Sequence, residues 1–302
     1  MRVLITGASG LLGSNLLLQW SDRYCLTATA RRPMTLDSVK ALPLEITRTQ
    51  DVCELFERVR PEVVVHTAAM TGVDACEEDP AAAYKINVEG TRSVAQAAGA
   101  VGAYLVHLSS DYVFDGTQGN YKETDPVHPL GVYAKTKWEA EQAVTQSGSQ
   151  AAVVRTTIYG WNAQEKFSFA ERILWGAIED KPATGFKDMY WTPILVNDLG
   201  DALEALISAK ATGTFHVASR ERTSRHAFGL KLLSVFGYEE EKLLSGLLSE
   251  AKLKAPRPVD ASLDVSLFEK TTGFKLPDGL AGLMRMRQLE SSGWVPRLKA
   301  LL

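Results

Sequence analysis

The sequence predicts an α/β protein: a Rossmann-type, doubly wound parallel sheet followed by a smaller C-terminal α/β substrate-binding domain. Three observations predict it. Short, continuously apolar strands alternate with helical patterns over the first 160 residues, as in a sheet covered on both faces. A glycine triplet follows the first strand and opens the first helix. After residue 160 the alternation loosens into a helix-rich tail broken by Pro256, Pro258, Pro277 and Pro296.

Taken in order, the runs RVLIT (2–6), LTATA (26–30), VVVHTA (63–68), YLVHLSS (104–110) and AVVRTT (152–157) read as strands. Helical patterns fill 11–21, 50–59, 80–99 and 133–147. Further on, 161–180 contains a helix, 192–209 reads as a short strand and a helix, and GTFHVAS (213–219) as another strand. The expected organisation is a dinucleotide-binding domain over 1–160, rejoined by 188–218. Residues 161–187 and 219–302 form the substrate-binding domain.

Composition narrows the class. The 302 residues are 45% hydrophobic and 23% charged, enough to build a core and unlike a disordered chain. Net charge is -3 and no long Lys/Arg cluster occurs, so no nucleic-acid partner is expected. No apolar run is long enough to span a bilayer. Arg2 leads directly into Val3-Leu4-Ile5, so no signal peptide is expected. Cys25, Cys53 and Cys76 are odd in number and lack metal-type spacing, which suits plain thiols in a reducing cytoplasm. No His/Asp/Cys cluster suggests a metal.

The glycine triplet is Gly7, Gly10 and Gly13 in TGASGLLG. Glycine permits a tight turn and close approach of backbone to a pyrophosphate. The helix that follows offers free N–H groups and its positive dipole end. Ser9, Leu11 and Leu12 complete this expected cofactor cradle. The second strand ends in Arg31-Arg32, where an NAD site places an acid for the ribose 2′-hydroxyl. Guanidinium groups match a 2′-phosphate instead, so NADPH is expected, with NADH as the alternative.

A further motif lies at Tyr133 and Lys137, in Y-A-K-T-K. Residues four apart share a helix face. The stretch LVHLSSDYVFDG (105–116) ends the fourth of these strands in Ser109-Ser110, and ligands sit beyond the carboxyl ends of parallel strands. Ser110 would therefore meet Tyr133 and Lys137 at one place. Reduction of a ketone needs a proton for the new alkoxide. A free tyrosine titrates near ~10. A lysine ~4 Å away at an effective dielectric of ~20 offers ~4 kcal/mol, enough to bring Tyr133 toward neutrality. Ser110 would hold the carbonyl oxygen.

These residues together resemble the extended short-chain dehydrogenase/reductase superfamily, and within it the dTDP-4-dehydrorhamnose reductase family. The carrying stretches are TGASGLLG, PEVVVHTAAMTGVDACEEDP, INVEGT, GAYLVHLSSDYVFDG, Y-A-K-T-K and RPVDASLD. The resemblance implies Ser110 as carbonyl-polarising hydroxyl, Tyr133 as proton donor, and Lys137 as tyrosine tuner and ribose ligand. It places Ala68 and Ala69 beside the cofactor and Asn87 in support of the site, Asn87 being otherwise an ordinary cap or turn residue. Asp111 and Tyr112 would touch substrate. Arg257 would meet a nucleotide diphosphate or else serve structure. Trp161 and Trp191 would line the sugar or base pocket or else pack in the core. His66 and His107 read as satisfied core histidines, and Glu239-Glu240-Glu241 as a solvated face.

The chain departs from the family at Lys187-Asp188-Met189-Tyr190-Trp191-Thr192-Pro193, which alters the expected pocket wall, and at Glu45, where the family tends to have an aspartate. The expected function is NAD(P)H-dependent reduction of a 4-keto nucleotide-activated deoxysugar, by a monomer or homodimer. Tyr112 stands where related dehydratases carry a glutamate. Fucose-synthase-type enzymes have a cysteine after the strand-end serines, and this chain has none. Other epimerases and dehydrogenases acting on nucleotide sugars are also within the resemblance. A rival from another class is the regulatory beta subunit of methionine adenosyltransferase, which resembles the same family and binds NADP without chemistry of its own.

Overall fold

The computed structural model describes residues 1–31, 35–36 and 39–302. Its strands in chain order are β1 (Arg2–Thr6), β2 (Cys25–Ala30), β3 (Thr35–Leu36), β4 (Val39–Pro43), β5 (Val63–His66), β6 (Tyr104–Leu108) and β7 (Ala151–Arg155). There follow β8 (Ile158–Tyr159), β9 (Ala183–Phe186), β10 (Tyr190–Trp191), β11 (Ile194–Leu195), β12 (Gly213–His216), β13 (Thr223–Ser224) and β14 (Leu243–Gly246). The main sheet has the order β12-β7-β6-β5-β1-β2-β4-β3, parallel except for β3. The chain moves from β1 to β2 and β4 on one side, then restarts at β5 and runs outward on the other. This reversal opens a crevice beyond the carboxyl ends of β1 and β5.

The helices are α1 (Leu11–Trp20), α2 (Thr49–Val59), α3 (Val73–Glu78), α4 (Pro80–Tyr84), α5 (Gly90–Val101) and α6 (Val132–Gln146). Then come α7 (Phe169–Ile178), α8 (Val196–Ala209), α9 (Arg225–Phe236), α10 (Ser266–Thr272), α11 (Gly279–Ser291) and α12 (Trp294–Lys299). Alternate strand residues feed two apolar layers. Ile5, Val65, Val106 and Val154 meet α1 and α8, while Leu4, Val64, Leu105 and Val153 meet α2, α5 and α6. That is why the strands read as unbroken apolar runs.

Differences from the sequence reading have local causes. β4 was not anticipated because Val39–Pro43 carries a lysine and ends in proline, outside the apolar pattern of its neighbours. The expected helix over 80–99 is three pieces, α4, a π-helical turn at Lys85–Glu89, and α5. Pro296 does not break a helix. It sits in the first turn of α12, where N–H groups lack intrahelical partners. The break before it is Gly293, at φ 78°. No helix among the described residues is long and apolar enough to cross a membrane.

Candidate active site

The crevice is a cavity of about 790 Å³. Its floor is the turn between β1 and α1. Gly7 has φ +70°, and a Cβ there would stand 2.6 Å from the Ala68 nitrogen, so only glycine lets the turn lie against the end of β5. A Cβ at Gly13 would stand 2.4 Å from the Gly7 carbonyl oxygen. Gly13 thus serves the approach of helix to turn and does not line the cavity. Gly7, Ser9, Gly10, Leu11 and Leu12 do line it. Gly10 caps α1 without a side-chain bond, which leaves the N–H groups of the first turn for an anion.

Ala68, Ala69 and Arg31 also border the cavity, Arg31 as an exposed cation near Glu45. Arg32 lies outside the described residues. β6 ends at the same cavity, and Ser109, Ser110, Asp111 and Tyr112 line it together with Tyr133 and Lys137 from the first turns of α6. Folding thus brings Ser110, Tyr133 and Lys137 to one wall.

The two serines differ. Ser109 donates to the Glu141 carboxylate, which also takes a two-pronged, buried ion pair from Arg155 at 2.8–3.2 Å. The Ser110 hydroxyl donates to Asp111 at 3.0 Å and accepts from the Tyr112 N–H. Asn87 lies in the π-helical turn. Its Oδ1 accepts from the Met70 N–H at 2.8 Å, and its Nδ2 donates to the Met70 carbonyl and to Thr136. It ties a cavity-lining loop to the helix that carries Tyr133 and Lys137.

Electrostatics correct one expectation. Lys137 does not draw the Tyr133 phenol toward neutrality. Burial raises it above its ordinary 10.0, with a hydrogen bond to Ser110 opposing and Asp111, Cys76 and Tyr112 adding. The Lys137 ammonium donates instead to the Leu108 carbonyl at 2.6 Å, and burial lowers it from 10.5 to about 8 against the pull of Glu141. Burial also lifts Asp111 from 3.8 to about 6, opposed by Arg225 and Ser110.

Trp161 and Trp191 do not line the cavity. Trp161 donates to the Met286 carbonyl and packs on Phe236. Trp191 is buried between Phe169 and Phe228. Each large ring buries more apolar surface in the core than at a wet wall. Arg257 is held by Asp74 and the Ala255 carbonyl, also outside the cavity. The His66 ring is bonded to Thr6 and Thr91. His107 stacks on His66, yet neither of its nitrogens has a partner among the described residues, contrary to the expected satisfied core histidine.

The residues fit a dinucleotide. The uncapped helix end suits its pyrophosphate, and the glycine turn leaves the room a side chain would take. The Thr156 hydroxyl and one Asp111 oxygen are buried without partners at the wall. Sequence reasoning missed Thr156, Gln164, which donates to the Ser9 carbonyl at 2.7 Å, and Arg225 at the start of α9. None belongs to a short motif, so no signal in the sequence marks them. Among the described residues no group of three or more His, Cys, Asp and Glu could hold a metal ion.

A family model described as the RmlD substrate binding domain matches residues 1–289. The chain belongs to that family. Within it, the chain is 30% identical over 296 residues to dTDP-4-dehydrorhamnose reductase of Burkholderia thailandensis, covering 92% of this chain and 95% of that protein. It is also 30% identical over 278 residues to methionine adenosyltransferase 2 subunit beta of Rattus norvegicus, covering 89% and 81%. Its fold superposes on the crystal structure of dTDP-4-dehydrorhamnose reductase from Bacillus anthracis in complex with NADP. The TM-score is 0.85 at 28% identity, over 95% of this chain and 98% of that one. The architecture is the mixed α/β, Rossmann-like fold with a seven-stranded parallel sheet.

Proposed function

We propose that this chain is an NADPH-dependent reductase of the 4-keto group of a nucleotide-activated deoxysugar, able to use NADH less well. The observation that carries the reading is the meeting of Ser110, Tyr133 and Lys137 on one cavity with the glycine turn and free end of α1. Residues 1–160 and 188–218 would hold the dinucleotide, and 161–187 with 219–302 the sugar. Gly7, Ser9, Gly10, Leu11 and Leu12 would receive the pyrophosphate, and Arg31 the 2′-phosphate. NADPH held there would be the source of the hydride for the carbonyl carbon.

The chain's own part is to polarise the carbonyl and deliver a proton. The Ser110 hydroxyl bonds the carbonyl oxygen, and Tyr133 gives its proton to that oxygen as negative charge develops. A phenol raised by burial is fully protonated at neutral pH, the state a donor needs. Lys137 would hold the cofactor's ribose through its ammonium, and Asn87 holds the loop and helix in register. The three unpaired cysteines suit a cytoplasmic setting. We infer a monomer or homodimer.

A second reading is a dinucleotide-binding regulatory subunit, favoured by the likeness to methionine adenosyltransferase 2 subunit beta. Incubation with NADPH and dTDP-, UDP-, GDP- or CDP-linked 4-keto sugars separates the two. Steady loss of absorbance at 340 nm, faster with NADPH than NADH, is expected. Tight NADPH binding without consumption on any of these sugars selects the second reading.

A further inference from the structure

Among the described residues, four cations line the cavity: Arg31, Lys137, Lys166 and Arg225. Arg31 lies at the cofactor end, Lys137 is bonded to the Leu108 carbonyl, and Lys166 is exposed and donates to Thr71. Arg225 is different. Its guanidinium lies 3.2 Å from the ring centre of Trp191 and 5.1 Å from that of Phe169. Its neighbours at the cavity are Tyr112 and Asp111, the residues that follow Ser110. Among the described residues it makes no ion pair within contact distance: Asp111 acts on it only through space, and its side-chain hydrogen bond is to the neutral Tyr112 hydroxyl. Arg172, over the ring of Phe169, adds positive charge rather than a counter-ion.

A half-buried cation with an acid nearby but no carboxylate in contact gains from a ligand that brings one. Stacking on an indole face covers the guanidinium plane and leaves the in-plane N–H groups for a two-oxygen acceptor. We propose that Arg225 binds an oxyanion of the substrate, and so takes the part the sequence reading gave to Arg257. Two parts of a nucleotide sugar carry that chemistry: the diphosphate, and a carboxylate on a uronic-acid sugar. For its ligand class the inference rests on the reading above, but it concerns binding alone.

The test is calorimetric titration of wild type, Arg225→Met and Arg225→Gln with dTDP, UDP, and nucleotide sugars with and without a uronate. NADPH fluorescence serves as the folding control. With NADPH affinity kept within about threefold, the variants are expected to weaken the oxyanion ligand by roughly tenfold to a hundredfold, the worth of a charged hydrogen bond. Loss shared by the free nucleoside diphosphates assigns the diphosphate; loss confined to the uronates assigns the carboxylate. Wild-type affinity for every ligand overturns the proposal. Arg225→Gln, whose planar amide can still stack on Trp191, decides the matter if Arg225→Met does not fold. A wild-type chain that binds these ligands through Arg225 yet consumes no NADPH sinks the reductase reading and leaves this one standing.

Discussion

Tyr133 and Lys137 show how burial, more than proximity, sets the behaviour of a reacting pair. The phenol is held protonated by its surroundings, the state the proposed proton donor needs. Tyr133→Phe is expected to lower kcat about 10²–10⁴-fold while NADPH affinity stays within about threefold; near-normal turnover in a steady-state assay would rule out the role. Lys137 gives the pH dependence its sign. With its folded pKa near 8, the ammonium is present below that pH and discharges above it. The rate kcat/KM is therefore expected to fall as pH rises through about 8. Lys137→Gln should show a much lower rate with this limb missing. A wild-type profile flat to pH 10 contradicts the assignment. The Tyr-Lys spacing was legible in the sequence, but where the ammonium bonds was not, because the Leu108 carbonyl comes from a strand 29 residues away.

At the level of elements, two contacts hold the site. The first is the turn from β1 into α1. Gly13→Ala improves helix propensity yet drives a Cβ into the Gly7 carbonyl, so the helix must move away from the turn. A lower melting temperature and at least a tenfold loss of NADPH affinity are expected; unchanged binding by fluorescence titration would show that the close approach is unnecessary. The second is the buried Glu141–Arg155 pair, which anchors α6 to β7 and receives the Ser109 hydroxyl. Removing one partner strands a buried charge. Glu141→Leu or Arg155→Met should each cost about 3–5 kcal/mol in chemical denaturation, and the two together less than their sum. Additive losses would show that the two do not act as a pair. The π-helical turn at Lys85–Glu89 belongs here too. It was invisible in a smooth helical pattern, because only Asn87's bonds to Met70 and Thr136 give the extra residue a purpose.

For the whole molecule, the cavity is built from segments far apart in the chain. Its walls come from the β1–α1 turn, the ends of β5 and β6, the start of α6, and the loop and helix starts beyond residue 155. A ligand that touches all of these stabilises the folded state alone. NADPH at a hundredfold excess over its Kd is expected to add about 2.7 kcal/mol, a rise of several degrees in melting temperature. No shift in differential scanning fluorimetry would contradict dinucleotide binding at this site.

The sequence by itself determined the sheet strands that carry unbroken apolar runs, the glycine turn, and the spacing that puts Tyr133 and Lys137 on one helix face. These are properties of period and short spacing, which neighbouring residues impose on one another. Only the tertiary structure decided that Trp161, Trp191 and Arg257 stand apart from the cavity and that Arg225 lines it. It also decided that Lys137 turns to a carbonyl and that His107 is buried without a partner. An aromatic or a cation carries no local sign of which surface it will face. That is settled when distant segments pack, by how much apolar area each ring buries and which charges remain near water.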